Sequence, residues 1–211
     1  MSNYTSALNP EAQVSATRKL VFIGVLGAVS FVLMMINFSL PVAPAFLQFD
    51  IAELPALFAG FFMGPAAGFV VIIVKILLKL VIQGTDTAFV GEFSNLAGSA
   101  VFVLIAAFIY KKNRTKKGAV IGMLASSIAV SVLFIFINAY VMFPLYSELY
   151  GMPMEAIIGM GSAINPAIRD MTTMMLFSVF PFNLFKHIVT SLLTFLVYKR
   201  VGAALRRILY T

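Results

Sequence analysis

The sequence predicts an all-α integral membrane protein with six transmembrane helices and both termini on the cytoplasmic face. Of its 211 residues, 61% are hydrophobic and 11% are charged, and the mean hydropathy is +1.01. That balance lies far from that of a soluble domain. Apolar runs long enough to cross a bilayer recur along the chain. The Lys and Arg residues of the loops and tails, Arg169 excepted, fall on one side of the membrane those runs imply.

Residues 1–17 read as a polar N-terminal tail, ending just before Arg18 and Lys19. The first span covers residues 20–38; it is too long for a signal-peptide core and is followed by further spans, so it is expected to remain uncleaved despite the weak Ala43-Pro44-Ala45 match. One helix over residues 51–83 would run roughly 50 Å, against a hydrocarbon core of about 30 Å. Gly64-Pro65 supplies the necessary break, because proline disfavours helix at the residue before it and glycine tolerates the turn. This gives spans over residues 51–63 and 66–83, followed by 92–110, 118–143 and 176–198, the whole forming a membrane domain over residues 18–200 with a basic tail at 201–211.

Charge supports the same division. With Arg18 and Lys19 inside, Lys111, Lys112, Arg114, Lys116 and Lys117 are also inside, as are Lys199, Arg200, Arg206 and Arg207. Merging the second and third spans would send the 111–117 cluster outward. The external connection over residues 144–175 carries Pro144, Gly151, Pro153, Gly159, Gly161 and Pro166, so no uninterrupted helix is expected there. A loop of that length either folds over a site or is an irregular connection.

The net charge of +7 comes from basic residues beside the ends of apolar runs. Cytoplasmic retention accounts for them, so no nucleic-acid partner is expected. The absence of cysteine excludes disulfides, thiolate metal sites and cysteine catalysis. No zinc-type His-Glu pattern, Gly-x-Ser-x-Gly elbow or phosphate-binding loop is present, so the chain reads as a non-enzyme without a metal site. Any ATP-driven step then belongs to partner proteins. No internal duplication accompanies Gly64-Pro65-Ala66-Ala67-Gly68, which counts against an inverted-repeat carrier.

Polar residues inside the spans must point inward or toward an interface. Lys75, Lys79 and Gln83 share one helical face, with Asp50, Glu53, Asp86 and Glu92 near the same end. The two lysines either pair with these acids or contact a ligand. Asn95 and Asn138 serve either interhelical hydrogen bonding or a ligand. Asn183 and Lys186, three apart and directly after Pro181, can enter one cavity, where the amide suits the alternating edge of a pyrimidine-like ring and the lysine can meet a carbonyl. His187, the sole histidine, points about 100° away and reads as structural. On the first span, Gly24, Gly27, Ala28 and Ser30 form a small-residue face that permits close helix approach, for internal packing or for docking of another subunit.

Several segments in this order resemble the substrate-binding S components of energy-coupling-factor vitamin transporters, particularly the riboflavin-specific members. They are Gly24-Val25-Leu26-Gly27-Ala28, Gln48-Phe49-Asp50-Ile51-Ala52-Glu53-Leu54-Pro55, Gly64-Pro65-Ala66-Ala67-Gly68, Phe93-Ser94-Asn95-Leu96-Ala97-Gly98, Asn138 with Phe143-Pro144-Leu145-Tyr146, and Pro181-Phe182-Asn183-Leu184-Phe185-Lys186. Two departures stand out. Gly91-Glu92 occurs where the family usually has Gly-Pro, and glycine replaces the first alanine of the first-span motif.

The resemblance implies a six-helix riboflavin-binding subunit of a bacterial cell (inner) membrane. Riboflavin is then a transported ligand rather than a cofactor. Asn138, Asn183 and Lys186 would hydrogen-bond the isoalloxazine ring, Leu47 and Phe49 would cover it, and Asn95 would line the site. Gly24, Gly27 and Ala28 would contact a transmembrane coupling subunit that works with two ATPase subunits. An S component for another vitamin and a proton-coupled secondary carrier are the rival readings.

Overall fold

The computed structural model describes residues 16–210. Most of the polar tail expected at residues 1–17 therefore lies outside the described residues. In chain order the structure comprises α1 (Ala16–Met35), β1 (Phe38–Ser39), β2 (Gln48–Phe49), α2 (Glu53–Met63), α3 (Pro65–Gln83), α4 (Val90–Lys112), α5 (Lys116–Ile137), α6 (Phe143–Tyr150), α7 (Met154–Ser162), α8 (Met171–Met174) and α9 (Phe180–Tyr210). Among the described residues, five stretches are long and apolar enough to cross a membrane: Ala16–Met35, Pro65–Gln83, Val90–Lys112, Lys116–Tyr150 and Met171–Tyr198. Their outward faces carry large apolar side chains in the open, among them Val25, Val81, Phe93, Ile128 and Leu196. This arrangement suits lipid as solvent.

The second expected span differs from the other five. Helix α2 has only 11 residues, a length of roughly 16 Å. It is also the most enclosed helix, with Ala56, Leu57 and Ala59 fully buried. The chain before it folds into the β1–β2 hairpin, where Phe38 pairs with Phe49 and Ser39 with Gln48, so the helix cannot extend upstream. At its other end Gly64 takes φ 100° and ψ 163°, outside the region open to side-chain-bearing residues, and Pro65 starts α3. The break lies where Gly64-Pro65 placed it.

Gly68 of α3 lets α2 come close: a Cβ added there would lie 2.9 Å from the Ala56 carbonyl oxygen and 3.1 Å from the Gly60 Cα. Both neighbours are backbone and cannot swing aside. Gly68→Ala is therefore expected to destabilise the protein by about 1–3 kcal/mol, read as a lowered midpoint in a circular-dichroism melt in detergent. An unchanged midpoint would show that α2 and α3 separate freely.

The helices expected over residues 118–143 and 176–198 both run further than the sequence suggested. A π-helical segment, Asn138–Met142, joins α5 to α6, with Phe143 N–H bonded to Asn138 O. A second, Met175–Val179, joins α8 to α9, with Phe180 N–H bonded to Met175 O. In each case a proline, Pro144 or Pro181, lies two residues beyond the π segment. Proline has no N–H and its ring crowds the carbonyl four residues back; one wider turn relieves that conflict and lets the helix continue. The earlier start at Met171 has a local cause. Asp170 accepts from Thr173 N–H while Thr173 Oγ1 accepts from Asp170 N–H, a capping box.

The main core lies between α2, α3, α4 and α5, around Leu57, Val71, Ile72, Phe102, Val103 and Val130. A separate cluster of Phe143, Ile157, Ile168, Met174 and Val179 binds α6, α7 and α8 into one cap. A third joins Ala43, Leu47 and Phe49 of the hairpin region to Phe182 of α9. The connections at this end of the bundle thus have hydrophobic cores of their own. The opposite end carries the short α4–α5 turn, with Lys111 and Lys112 in the last turn of α4, where the helix dipole favours cations, and Thr115 capping α5 by accepting from Gly118 N–H.

Candidate ligand-binding site

A cavity of about 290 Å³ opens between these capped connections and the bundle, near the lower edge of the ~300–1,000 Å³ usual for small-molecule sites. The end of α1, the hairpin segment from Phe46 to Asp50, the first turns of α2, α4 and α9, and the π-helical end of α5 all contribute to its wall. Its apolar surface includes Met34, Phe46, Leu47, Phe134, Met142, Tyr146 and Phe182. Its polar surface includes Asp50, Glu53, Asn95, Ser99, Asn138, Asn183, Lys186 and His187.

Asn138 and Asn183 adopt the same arrangement. Asn138 Nδ2 donates to Phe134 O at 2.8 Å, and Asn183 Nδ2 donates to Val179 O at 2.9 Å, each four residues back in its own helix. The donors hold the amides in place, and neither Oδ1 has a protein hydrogen-bond donor among the described residues. Each asparagine therefore offers an acceptor to the cavity it lines. Asn138 opens one π segment, and Asn183, in the first turn of α9, bonds back to Val179, the last residue of the other, so the widening beside Pro144 and Pro181 also shapes the wall.

Lys186 Nζ donates to Asp50 Oδ2 at 2.7 Å, while Asp50 Oδ1 accepts from Ala52 N–H at 2.9 Å. Asp50 thus fixes the entry to α2 and holds the ammonium of α9 beside the cavity. An ammonium has three donors, so this bond leaves capacity for a ligand carbonyl. His187 is 2% exposed; its Nδ1 lies 2.7 Å from Asn183 O and its ring meets Phe102 edge-on at 4.6 Å. These contacts bury the ring at the edge of the cavity.

The lysines of α3 pair with acids. Lys75 Nζ is 3.1 Å from Glu53 Oε1, 2.9 Å from Asn95 Oδ1 and 3.0 Å from Ser99 Oγ, and Ser99 Oγ is 2.8 Å from Glu53 Oε1. This node ties α2, α3 and α4 together at the cavity. Lys79 pairs with Glu92 and donates to Gly84 O at 2.9 Å, and Thr85 donates to Glu92 Oε2 at 2.9 Å. Gln83, on the same face of α3, is exposed. Among the described residues no group of three His, Asp or Glu side chains could hold a metal ion.

The structure brings Asn95, Asn138, Asn183, Lys186 and Leu47 to one cavity. Phe49 is not part of that wall: it pairs with Phe38 across the hairpin and packs on Phe185, with ring centroids 5.3 Å and 5.9 Å away. Phe46 lines the cavity instead, held between Phe143 and Tyr146 at 5.3 Å and 6.3 Å. The first-helix residues also divide. A Cβ on Gly27 would lie 2.4 Å from Val74 Cγ1, so Gly27 belongs to the α1–α3 packing, whereas Gly24 and Ala28 are exposed and nothing lies within 4 Å of a Cβ on Gly24. Sequence reasoning missed Phe46, Tyr146 and the tie between Asp50 and Lys186. The spacing of 136 positions between the last two leaves no local signal.

The family model described as ECF transporter, substrate-specific component, matches residues 18–198. The chain is 32% identical over 191 residues to the riboflavin transporter RibU of Staphylococcus aureus (strain TCH60), covering 90% of this chain and 94% of the relative. It is 30% identical over 184 residues to the riboflavin transporter FmnP of Bacillus subtilis (strain 168), covering 86% and 90%. A solved structure, described as that of the S component of a bacterial ECF transporter, superposes with a TM-score of 0.70 at 31% identity over 91% of this chain and 99% of that one.

Proposed function

The chain belongs to the substrate-specific components of ECF transporters, and from that premise we propose that it is the riboflavin-binding subunit of an ATP-driven importer. The observation that carries this reading is the convergence of two acceptor amides, Asn138 and Asn183, and the Lys186 ammonium on a cavity with aromatic walls. The ring edge of a flavin alternates C=O and N–H groups. Asparagine oxygens can accept from its N–H, and a lysine can donate to its carbonyls. Phe46, Leu47, Tyr146 and Phe182 offer the apolar faces that a flat heterocycle requires.

Both termini are cytoplasmic in this reading, and the cavity opens outward. The basic α4–α5 turn at the far end of the bundle supports that orientation. Six crossings result when the folded-in hairpin and α2 together count as one. Vitamin is captured outside a bacterial cell membrane and released inside through a coupling subunit driven by two ATPase subunits. Gly24 and Ala28, open on the outer face of α1, are the proposed contact with that coupling subunit; Gly27 supports the face from within.

Direct titration tests the proposal. The isoalloxazine ring absorbs and emits in the visible, where no protein side chain does, so the flavin's own emission can be followed directly. The purified protein is expected to quench riboflavin fluorescence with one-to-one stoichiometry, and no quenching at micromolar ligand would overturn the assignment.

A further inference from the structure

We propose that the β1–β2 hairpin is a lipid-contacting element. Its outer face, led by Phe38 with Ile36 and Val42, rests at the boundary between acyl chains and headgroups, so the bilayer backs one wall of the cavity. The inference goes beyond the riboflavin reading, because it holds whatever ligand the cavity takes. The Lys75–Glu53 pair sets the depth. Lys75, near the middle of α3, meets Glu53, the first residue of α2, at 3.1 Å. Only three residues separate Glu53 from β2. An extended residue advances about 3.4 Å, so β2 lies no more than roughly 14 Å beyond that level, which is within half of a hydrocarbon core of about 30 Å. On the other strand, β1 begins three positions after the end of α1, a 20-residue helix that itself spans about 30 Å. Both strands therefore sit at one edge of the core rather than out in water.

Composition agrees with that depth. From Leu20 to Phe49 the chain has no Asp, Glu, Lys, Arg or His, whereas the α3–α4 connection carries Asp86 and the cap over α6 to α8 carries Glu148, Glu155, Arg169 and Asp170. Phe38 is 52% exposed, Ile36 64% and Val42 76%. The patch continues onto a spanning helix. Phe49 bridges Phe38 and Phe185, with ring centroids 5.3 Å and 5.9 Å away, and Phe185, Ile188 and Leu192 lie open along one face of α9. The hairpin's polar side chains are closed on the protein itself. Gln48 Nε2 donates to Ser39 Oγ at 2.9 Å and to Ala45 O at 2.7 Å, Ser39 Oγ donates to Ala45 O at 3.0 Å, and Asn37 Nδ2 donates to Met34 O at 3.0 Å. All three side chains are exposed. In water they would need no such partners; beside lipid, a polar group must be satisfied from within the chain. Pro41 and Pro44 remove two backbone donors from the same connection.

The chain has no tryptophan, so one introduced indole reports alone. Phe38→Trp is reconstituted in phosphatidylcholine vesicles whose acyl chains carry bromine either near the headgroup or near the methyl end, with aqueous iodide as the opposing quencher. Leu192→Trp, on the open face of α9, and Arg169→Trp, in the cap, set the lipid and water limits. Bromine near the headgroup is expected to remove about half or more of the Phe38→Trp emission, bromine near the methyl end less, and iodide severalfold less than it removes from Arg169→Trp. Val42→Trp, at the most exposed of the three positions, should give the same pattern if the first variant folds poorly. Iodide quenching equal to that of Arg169→Trp without a bromine effect would put the hairpin in water and overturn the proposal. Shielding from both quenchers would mean that a second copy of the chain covers the face, and stronger quenching by the deeper bromine would put it in the hydrocarbon core; either result also overturns it. Riboflavin titration of the parent is a separate measurement, so the surface and the function fail independently.

Discussion

Alanine at both Asn183 and Lys186 is expected to raise the riboflavin Kd by about a hundredfold or more. The physical basis is two lost hydrogen bonds, one of them from a charged donor, each leaving a ligand group unmatched in an enclosed site. Such losses come to roughly 1–3 kcal/mol apiece, and every 1.4 kcal/mol is tenfold in affinity. The contacts in the structure separate binding from folding. Asn183 touches its own helix only through the bond from Nδ2 to Val179 O, so Asn183→Ala removes an acceptor from the cavity with little expected effect on the bundle. Lys186 also neutralises Asp50, so Lys186→Ala leaves a carboxylate unpaired and should lower the melting midpoint as well. Equilibrium dialysis gives the affinity and circular dichroism the fold. A folded double variant that retains riboflavin like its parent would show that these heads only hold helices together.

Which parts of this architecture could be read from sequence follows from the range of each interaction. The α2–α3 break is a two-residue signal, because Gly64-Pro65 combines a conformation that favours glycine with a residue that cannot continue the ladder. The pairing of Lys75 and Lys79 with acids follows from the cost of an unpaired charge in a dry interior, although only the structure selects Glu53 and Glu92 as partners. Pro144 was legible as a disturbance but not as a π segment, since a helix can answer a proline by stopping, kinking or widening, and neighbouring packing selects among these. Here the cap built on Phe143, Ile157 and Met174 rewards continuation to Tyr150. The hairpin was the least legible region. Phe46 lies in the turn before β2 and Phe49 within β2, and a connection this short carries no periodic pattern to tell which ring faces the cavity; Phe46 rather than Phe49 lines the wall. The small residues of α1 show the same limit, because Gly24 and Gly27 are indistinguishable by type and differ only in whether Val74 stands opposite.

Loss of Lys75 should be the most destabilising single change among the buried ion pairs. Its side chain is fully buried and Glu53 is 3% exposed, so Lys75→Ala leaves a buried carboxylate without its ion-pair partner beside the cavity, a change that typically costs about 3–5 kcal/mol. Ser99 and Asn95 would lose their shared donor in the same step. Lys79 is 13% exposed beside the α3–α4 connection, and Thr85 and Thr87 remain as donors to Glu92. Lys79→Ala should therefore lower the melting midpoint less. The sign of the effect is tested by adding Glu53→Gln to Lys75→Ala: if the cost lies in the uncompensated charge, the double variant should melt above Lys75→Ala alone, since replacing both members of a buried pair is far milder than removing one. A double variant no more stable than the single would mean that lost packing around the lysine stem sets the penalty. The order of the two lysine variants is the sharper comparison, because both changes remove the same side chain from the same helix, while the carboxylates left behind differ in their remaining donors and in the exposure of the lysine site.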